Sequence, residues 1–152
     1  MERSELLGLS KTEIDALLPH SDPMIFVDGV SDITGSEITT FKDVLSQEYY
    51  FKGHFPDKKI FPGVFIIEFS AQSAILLLQH LGSEIESDTI PLLYHSDFKF
   101  KRVVTPDVRL YCSIRLIKKV SHSAFAEAVV KLDGKVVAKG ELTFVLKKID
   151  EE

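Results

Sequence analysis

The chain has 152 residues, of which 45% are hydrophobic and 27% charged, and its formal net charge is −5. These values predict one domain, residues 1–152, with its own buried core, and they argue against a disordered chain, a disulfide scaffold and a general nucleic-acid binder. The single cysteine, Cys112, alternates in phase with Val108, Leu110, Ile114 and Leu116, which predicts a buried strand position in a reducing compartment. The sequence opens Met1-Glu2-Arg3-Ser4-Glu5 with no apolar stretch, so a cytoplasmic location is expected.

In chain order, Lys11 to Leu18 reads as a short helix. Ser10 supplies the N-cap, Glu13 completes a capping box and Pro19 stops it. Met24 to Val30 and Glu37 to Leu45 read as strands around a Thr34-Gly35-Ser36 turn. An aromatic-rich loop with Tyr49, Tyr50, Phe51 and Phe55 leads to Pro62-Gly63. Val64 to Leu81 then reads as one helix with Gly82 as its C-cap, apolar at nearly every position, which predicts burial all round and no membrane span. Alternating segments follow at 108–120, 124–132 and 135–148, the last two joined by an Asp133-Gly134 hairpin turn. Long antiparallel strands with one central helix give an α+β fold.

The chemistry concentrates between positions 53 and 72. His54 stands on a loop bracketed by Gly53 and Pro56, and Glu68 stands inside the apolar helix. An imidazole titrates near neutrality, and burial of a carboxyl favours its neutral, proton-donating form, so the two suit base and acid roles. Gln72, four residues on, shares a helix face with Glu68 and is expected to hold its carboxyl. No Ser, Thr, Asp or Asn stands at 61–63, so the helix begins without a side-chain cap. Its free backbone N–H groups, beside Gly63, form a site for a carbonyl oxygen. A polariser, a base and an acid together suit removal of a proton alpha to a carbonyl with loss of a beta-hydroxyl.

The run Gly53-His54-Phe55-Pro56, Phe61-Pro62-Gly63-Val64, Glu68 and Gln72 resembles the active-site segment of bacterial 3-hydroxyacyl-acyl carrier protein dehydratases, the FabZ family. Leu18-Pro19-His20, Pro23 to Asp28 and Phe100-Lys101-Arg102 extend the resemblance over most of residues 17–145. It implies a hot-dog fold, a curved antiparallel sheet wrapped around one long central helix, in a homodimer or a trimer of dimers. It also implies reversible dehydration of (3R)-3-hydroxyacyl thioesters to trans-2-enoyl thioesters, without metal or organic cofactor. The substrate would arrive on the phosphopantetheine of an acyl carrier protein. By the same resemblance His54 and Glu68 are catalytic and meet across the dimer, and Gly63 binds the substrate carbonyl. Lys99, Lys101, Arg102 and Arg109 would dock the acidic carrier.

The chain departs from that pattern in places. Phe65 and Phe69 stand where Leu and a small residue are usual, which predicts a reshaped substrate tunnel and a diverged member serving fatty acid, polyketide or specialised lipid synthesis. Two other readings follow from the same residues: a hot-dog thioesterase that uses Glu68 to activate water, and a catalytically silent carrier-binding protein. A dehydratase-isomerase fits less well, because that related family carries Asp where Glu68 stands. His20, His80, His95 and His122 lack metal-ligand spacing and are expected to be structural or exposed.

Overall fold

The computed structural model describes residues 6–82 and 88–150. The charged N-terminal residues, on which the expected location rests, lie outside the described range. Helix α1 is Lys11–Leu17, with the Ser10–Glu13 capping box formed in both directions and Leu18 as its C-cap. Strands β1 (Gly29–Thr34) and β2 (Glu37–Val44) follow, then a 3-10 turn at Tyr49–Lys52 and the long helix α2, Gly63–His80. Strands β3 (Thr89–Phe100), β4 (Val108–Val120), β5 (Ser123–Leu132) and β6 (Lys135–Lys148) complete the chain.

The six strands form one antiparallel sheet in the order β1-β2-β4-β5-β6-β3. Register shifts occur in four of the five ladders, and such irregularities bend and twist a sheet. Asp133 (φ 50°) and Gly134 (φ 78°) are both left-handed, the geometry of the two-residue turn that joins β5 to β6. The sheet packs against α2. Phe69, Leu76, Leu77 and Leu78 on the helix, and Ile38, Leu110, Ile114, Val130 and Phe144 on the sheet, are essentially solvent-free. Each such side chain contributes about 1.5–3 kcal/mol on burial, so this interface is the main source of stability.

Between helix and sheet runs a narrow seam of hydroxyls. Ser73 Oγ donates to the Phe69 carbonyl at 2.7 Å and lies 2.6 Å from Thr40 Oγ1, while Ser70 Oγ donates to the Ile66 carbonyl at 2.8 Å. Cys112 Sγ donates to Ser70 Oγ at 3.6 Å. The thiol occupies the buried strand position expected of it, and burial pushes its pKa up to about 12, so it is an inert packing residue.

Three expectations need correction. The ladder begins at Gly29, not Met24, and continues to Thr34. Residues 24–28 lie outside the ladder, and part of their backbone is satisfied by a side chain: the Gln72 amide accepts from Phe26 N at 2.8 Å and donates to Met24 O at 2.6 Å. Second, α2 is not buried all round: Val64 is 68% exposed, and complete burial sets in beyond Glu68. The sheet covers the body of the helix and leaves its first turn emergent. Gly82 lies one position beyond the cap, with Leu81 as the C-cap and Gly82 at φ 67°. Third, β3 is a strand that no clean alternation marked, because as the outermost strand it exposes Leu92, Leu93 and Tyr94 beside polar neighbours.

Candidate active site

His54 sits at the end of the aromatic loop, held by a compact set of local bonds. Its backbone N–H donates to Tyr50 O at 3.1 Å, and its carbonyl accepts from Ile60 N at 3.1 Å. The ring lies 2.8 Å through Nδ1 from the Ile60 carbonyl and stacks on Phe55 with centroids 3.9 Å apart. A carbonyl only accepts, so Nδ1 carries the hydrogen and the lone pair of a neutral ring is on Nε2. The loop therefore presents a half-buried base with a fixed tautomer.

Glu68 lies one and a half turns into α2. Its side chain is 24% exposed and faces a groove of about 330 Å³ with Ala71, Ile75, Leu92, Leu93 and Phe144 in its walls. The burial expected of a carboxyl inside the apolar helix is incomplete, because the glutamate lines a groove that β3 residues Leu92 and Leu93 share. Gln72 does not hold it: both ends of that buried amide are taken by Met24 and Phe26, so Gln72 ties the segment before β1 to the helix. The group that does approach Glu68 is His20, whose Nε2 lies 3.3 Å from Oε1. His20 was expected to be merely structural or exposed; the signal that would have found it is its place in Leu18-Pro19-His20.

Pro62 is the N-cap of α2 and no side chain caps the first turn, as the sequence predicts. Phe65 N and Ile66 N both turn back to Pro62 O. A Cβ on Gly63 would stand 3.2 Å from the Phe100 ring, so glycine lets the end of β3 close over the helix start. His54 does not line the groove beside Glu68, and among the described residues no hydrogen bond or ion pair joins the two. His54 and Glu68 thus stand on different elements, the aromatic loop and α2, each with its own partner. Among the described residues, no group of His, Cys, Asp or Glu is arranged to hold a metal ion.

Residues 18–141 match the FabA-like domain. The chain belongs to the FabA-like family. The FabA-like chain is 39% identical over 142 residues to a protein named 3-hydroxyacyl-[acyl-carrier-protein] dehydratase FabZ from Lactococcus lactis subsp. cremoris, covering 93% of this chain and 98% of that one. Among solved structures it is similar to the dehydratase heterocomplex ApeI:P from Xenorhabdus doucetiae, with a TM-score of 0.75 at 20% identity over 89% of this chain and 91% of that one. A thioesterase from Haemophilus influenzae gives a TM-score of 0.68 at 11% identity, covering 95% of this chain and 94% of that one. At these identities the solved structures establish the hot-dog fold alone.

The two phenylalanines expected to line the tunnel take different positions. Phe69 is fully buried in the core, and Phe65 packs into an aromatic cluster with Phe26 (centroids 4.7 Å) and Tyr50 (5.0 Å). The walls of the groove beside Glu68 include neither of them. The basic residues divide as well. Lys99, Lys101 and Arg102 are exposed around the end of β3, next to Phe100 and hence next to the start of α2. Arg109 shares that end of the sheet but is committed: it donates to both oxygens of Asp43 at 2.7 and 3.0 Å and stacks 4.0 Å over the Phe41 ring. The guanidinium holds the Asp43 carboxyl below its ordinary range, whereas burial pushes that of Asp28 above it.

Proposed function

We propose that the chain catalyses the reversible dehydration of (3R)-3-hydroxyacyl thioesters carried on an acyl carrier protein, giving the trans-2-enoyl thioester and water. The observation that supports this most is near-full-length similarity to a 3-hydroxyacyl-[acyl-carrier-protein] dehydratase in a chain that presents a tautomer-fixed histidine and a groove-facing glutamate. His54 Nε2 takes the proton from the carbon alpha to the thioester. Glu68, protonated, gives its proton to the beta-hydroxyl, which leaves as water while the carbon–carbon double bond forms. The uncapped N–H groups at Gly63 receive the charge that builds on the thioester oxygen. No redox change occurs and every proton has a named donor and acceptor, so the reaction runs without metal or organic cofactor.

The lack of any hydrogen bond, ion pair or shared groove wall between His54 and Glu68 among the described residues supports a homodimer in which His54 of one chain serves Glu68 of the other. The outer edge of β3 is its natural seam. That strand carries exposed Leu92, Leu93, Tyr94 and Phe100, and pairing with a second β3 would continue the sheet and cover them. A trimer of such dimers is the larger assembly the same reading allows. Lys99, Lys101 and Arg102 supply positive charge for an acidic carrier in a chain of net charge −5. Arg109 contributes little to it, since Asp43 neutralises it. The enzyme works in the cytoplasm.

The test is mass spectrometry of carrier-bound 3-hydroxyacyl substrates after incubation with the protein. Loss of one water from the acyl group is expected. Release of free carrier thiol would replace the dehydratase with a thioesterase, and unchanged substrate would leave a binding protein.

A further inference from the structure

Glu68 needs something to aim it. A glutamate on a helix rotates about three side-chain bonds, and Gln72, the neighbour best placed to restrain it, is occupied with the Met24–Phe26 backbone. Among the described residues no lysine or arginine pairs with Glu68. His20 does approach it, with Nε2 3.3 Å from Oε1, and both side chains are 24% exposed at the mouth of the same groove. The other ring nitrogen, Nδ1, is buried and has no hydrogen-bond partner among the described residues. A hydrogen placed there would be desolvated with nothing to receive it, whereas one on Nε2 faces a carboxyl oxygen, Oε1, that accepts it while the other oxygen carries the acid proton. The tautomer that fits is therefore Nε2–H. At 3.3 Å its contact is loose, and a small turn of the ring brings it into line, as groups at active sites do when substrate arrives.

We propose that His20 is a positioning residue for Glu68: its Nε2–H holds one carboxyl oxygen against the groove wall, so that the other oxygen faces the substrate hydroxyl. This deepens the dehydratase reading and rests on it. His20 touches no reacting atom; it acts through Glu68, and it does so from the short segment between α1 and β1, an element that contributes no other polar side chain to the groove. Its effect belongs to the chemical step and not to substrate binding, because what it fixes is the direction of one proton transfer.

The expected result for His20→Ala is a fall in kcat of about 10- to 100-fold with KM within about twofold, the size that misdirecting a reacting group produces. His20→Gln, whose amide N–H reaches a comparable distance, should recover most of that loss. In a Glu68→Gln background, removing His20 should cost no more than about twofold further, since residues acting as one unit are not additive. A readout that needs no turnover is the side-chain nitrogen resonance of His20 in uniformly labelled, folded protein. It should report the Nε2–H tautomer and shift in Glu68→Gln. Unchanged kcat in His20→Ala, an equal further loss in the Glu68→Gln background, or resonances indifferent to Glu68 would each overturn the proposal. If His20→Ala does not fold, His20→Gln and the resonance decide it. Absence of dehydration by the wild-type protein would instead sink the functional reading, while the resonance would still report on the pair.

Discussion

The loop that carries His54 and the helix that carries Glu68 deliver their side chains by opposite means. His54 is held locally: every bond that fixes it, from Tyr50 O to Ile60 N and O, comes from within ten residues of chain. Glu68 is held globally, on an element whose other faces are buried through Phe69, Leu76 and Leu77, and its neighbour His20 comes from 48 positions earlier. The comparison teaches where tolerance lies. A local clamp can be altered without disturbing the core, whereas the geometry around Glu68 depends on packing throughout the molecule.

The largest expected effects test whether the two regions form one site. His54→Ala and Glu68→Gln should each reduce dehydration about 10²- to 10⁴-fold. Neither should move Tm much, because neither side chain belongs to the buried core. Mixing the two inactive variants sharpens the point. If His54 of one subunit serves Glu68 of the other, a mixed dimer regains one intact site of two. Random pairing of equal amounts then restores about a quarter of wild-type activity. No recovery, in a mixture shown by mass spectrometry to contain the mixed dimer, would place both residues in one subunit's site and break the cross-subunit reading.

Much of this was legible from the residues, and the failures share a cause. The capping box at Ser10–Glu13, the uncapped entry at Pro62, the Asp133-Gly134 turn and the strand phase of Cys112 depend on near neighbours in sequence, and each appears where the pattern places it. What could not be read is set by partners far along the chain. Gln72 shares a helix face with Glu68, yet 46 and 48 residues earlier lie backbone groups that need its amide more. Arg109 looked like one of four free cations until the β2–β4 register set it opposite Asp43. Phe65 and Phe69 point into packing that only the assembled core defines. Strand β3 hid its period because an edge strand presents few buried positions to alternate.

Gln72 should be the most damaging substitution for stability among the residues first singled out for function. Gln72→Ala leaves Phe26 N without its acceptor and Met24 O without its donor. Phe26 and Gln72 are both essentially solvent-free, and orphaned buried groups cost about 1–3 kcal/mol each. Met24 is exposed, so its carbonyl can turn to water, and a total of about 1–3 kcal/mol is expected, read as a lower midpoint in urea, with kcat preserved at low temperature where the protein remains folded. A variant of unchanged midpoint and lost kcat would return Gln72 to the support of the Glu68 carboxyl.

The basic end of the sheet separates a free cluster from a committed residue. Reversing Lys99 and Lys101 to Glu should raise KM for a carrier-bound substrate about tenfold at low salt, with the difference narrowing as salt rises. The same variant should leave KM for a small thioester without the carrier unchanged. Arg109→Ala should change neither by more than about twofold, because its charge is already spent on Asp43. Equal effects from Arg109 and the two lysines would mean that the Asp43 pair opens when the carrier binds.

The smallest effect expected is also the one whose direction is most firmly fixed. Asp43 has a folded pKa below its ordinary 3.8, chiefly through the hydrogen bond from Arg109. A depressed carboxyl favours the folded state above its unfolded pKa, and that contribution disappears as pH falls through the folded value. Asp28 runs the other way: burial raises its pKa, so its contribution favours the folded state in acid and is lost as pH rises through that raised value. The two contributions run in opposite directions, and a melting curve of the wild-type protein alone mixes them. Asp43→Asn separates them by difference. It should lower Tm by about 1–2 °C above pH 5, since the pair is exposed and solvent screens it, and the gap should close as pH falls below the ordinary 3.8 and through the lowered folded value. A gap that widens in acid would mean that the Asp43–Arg109 contact does not persist in solution.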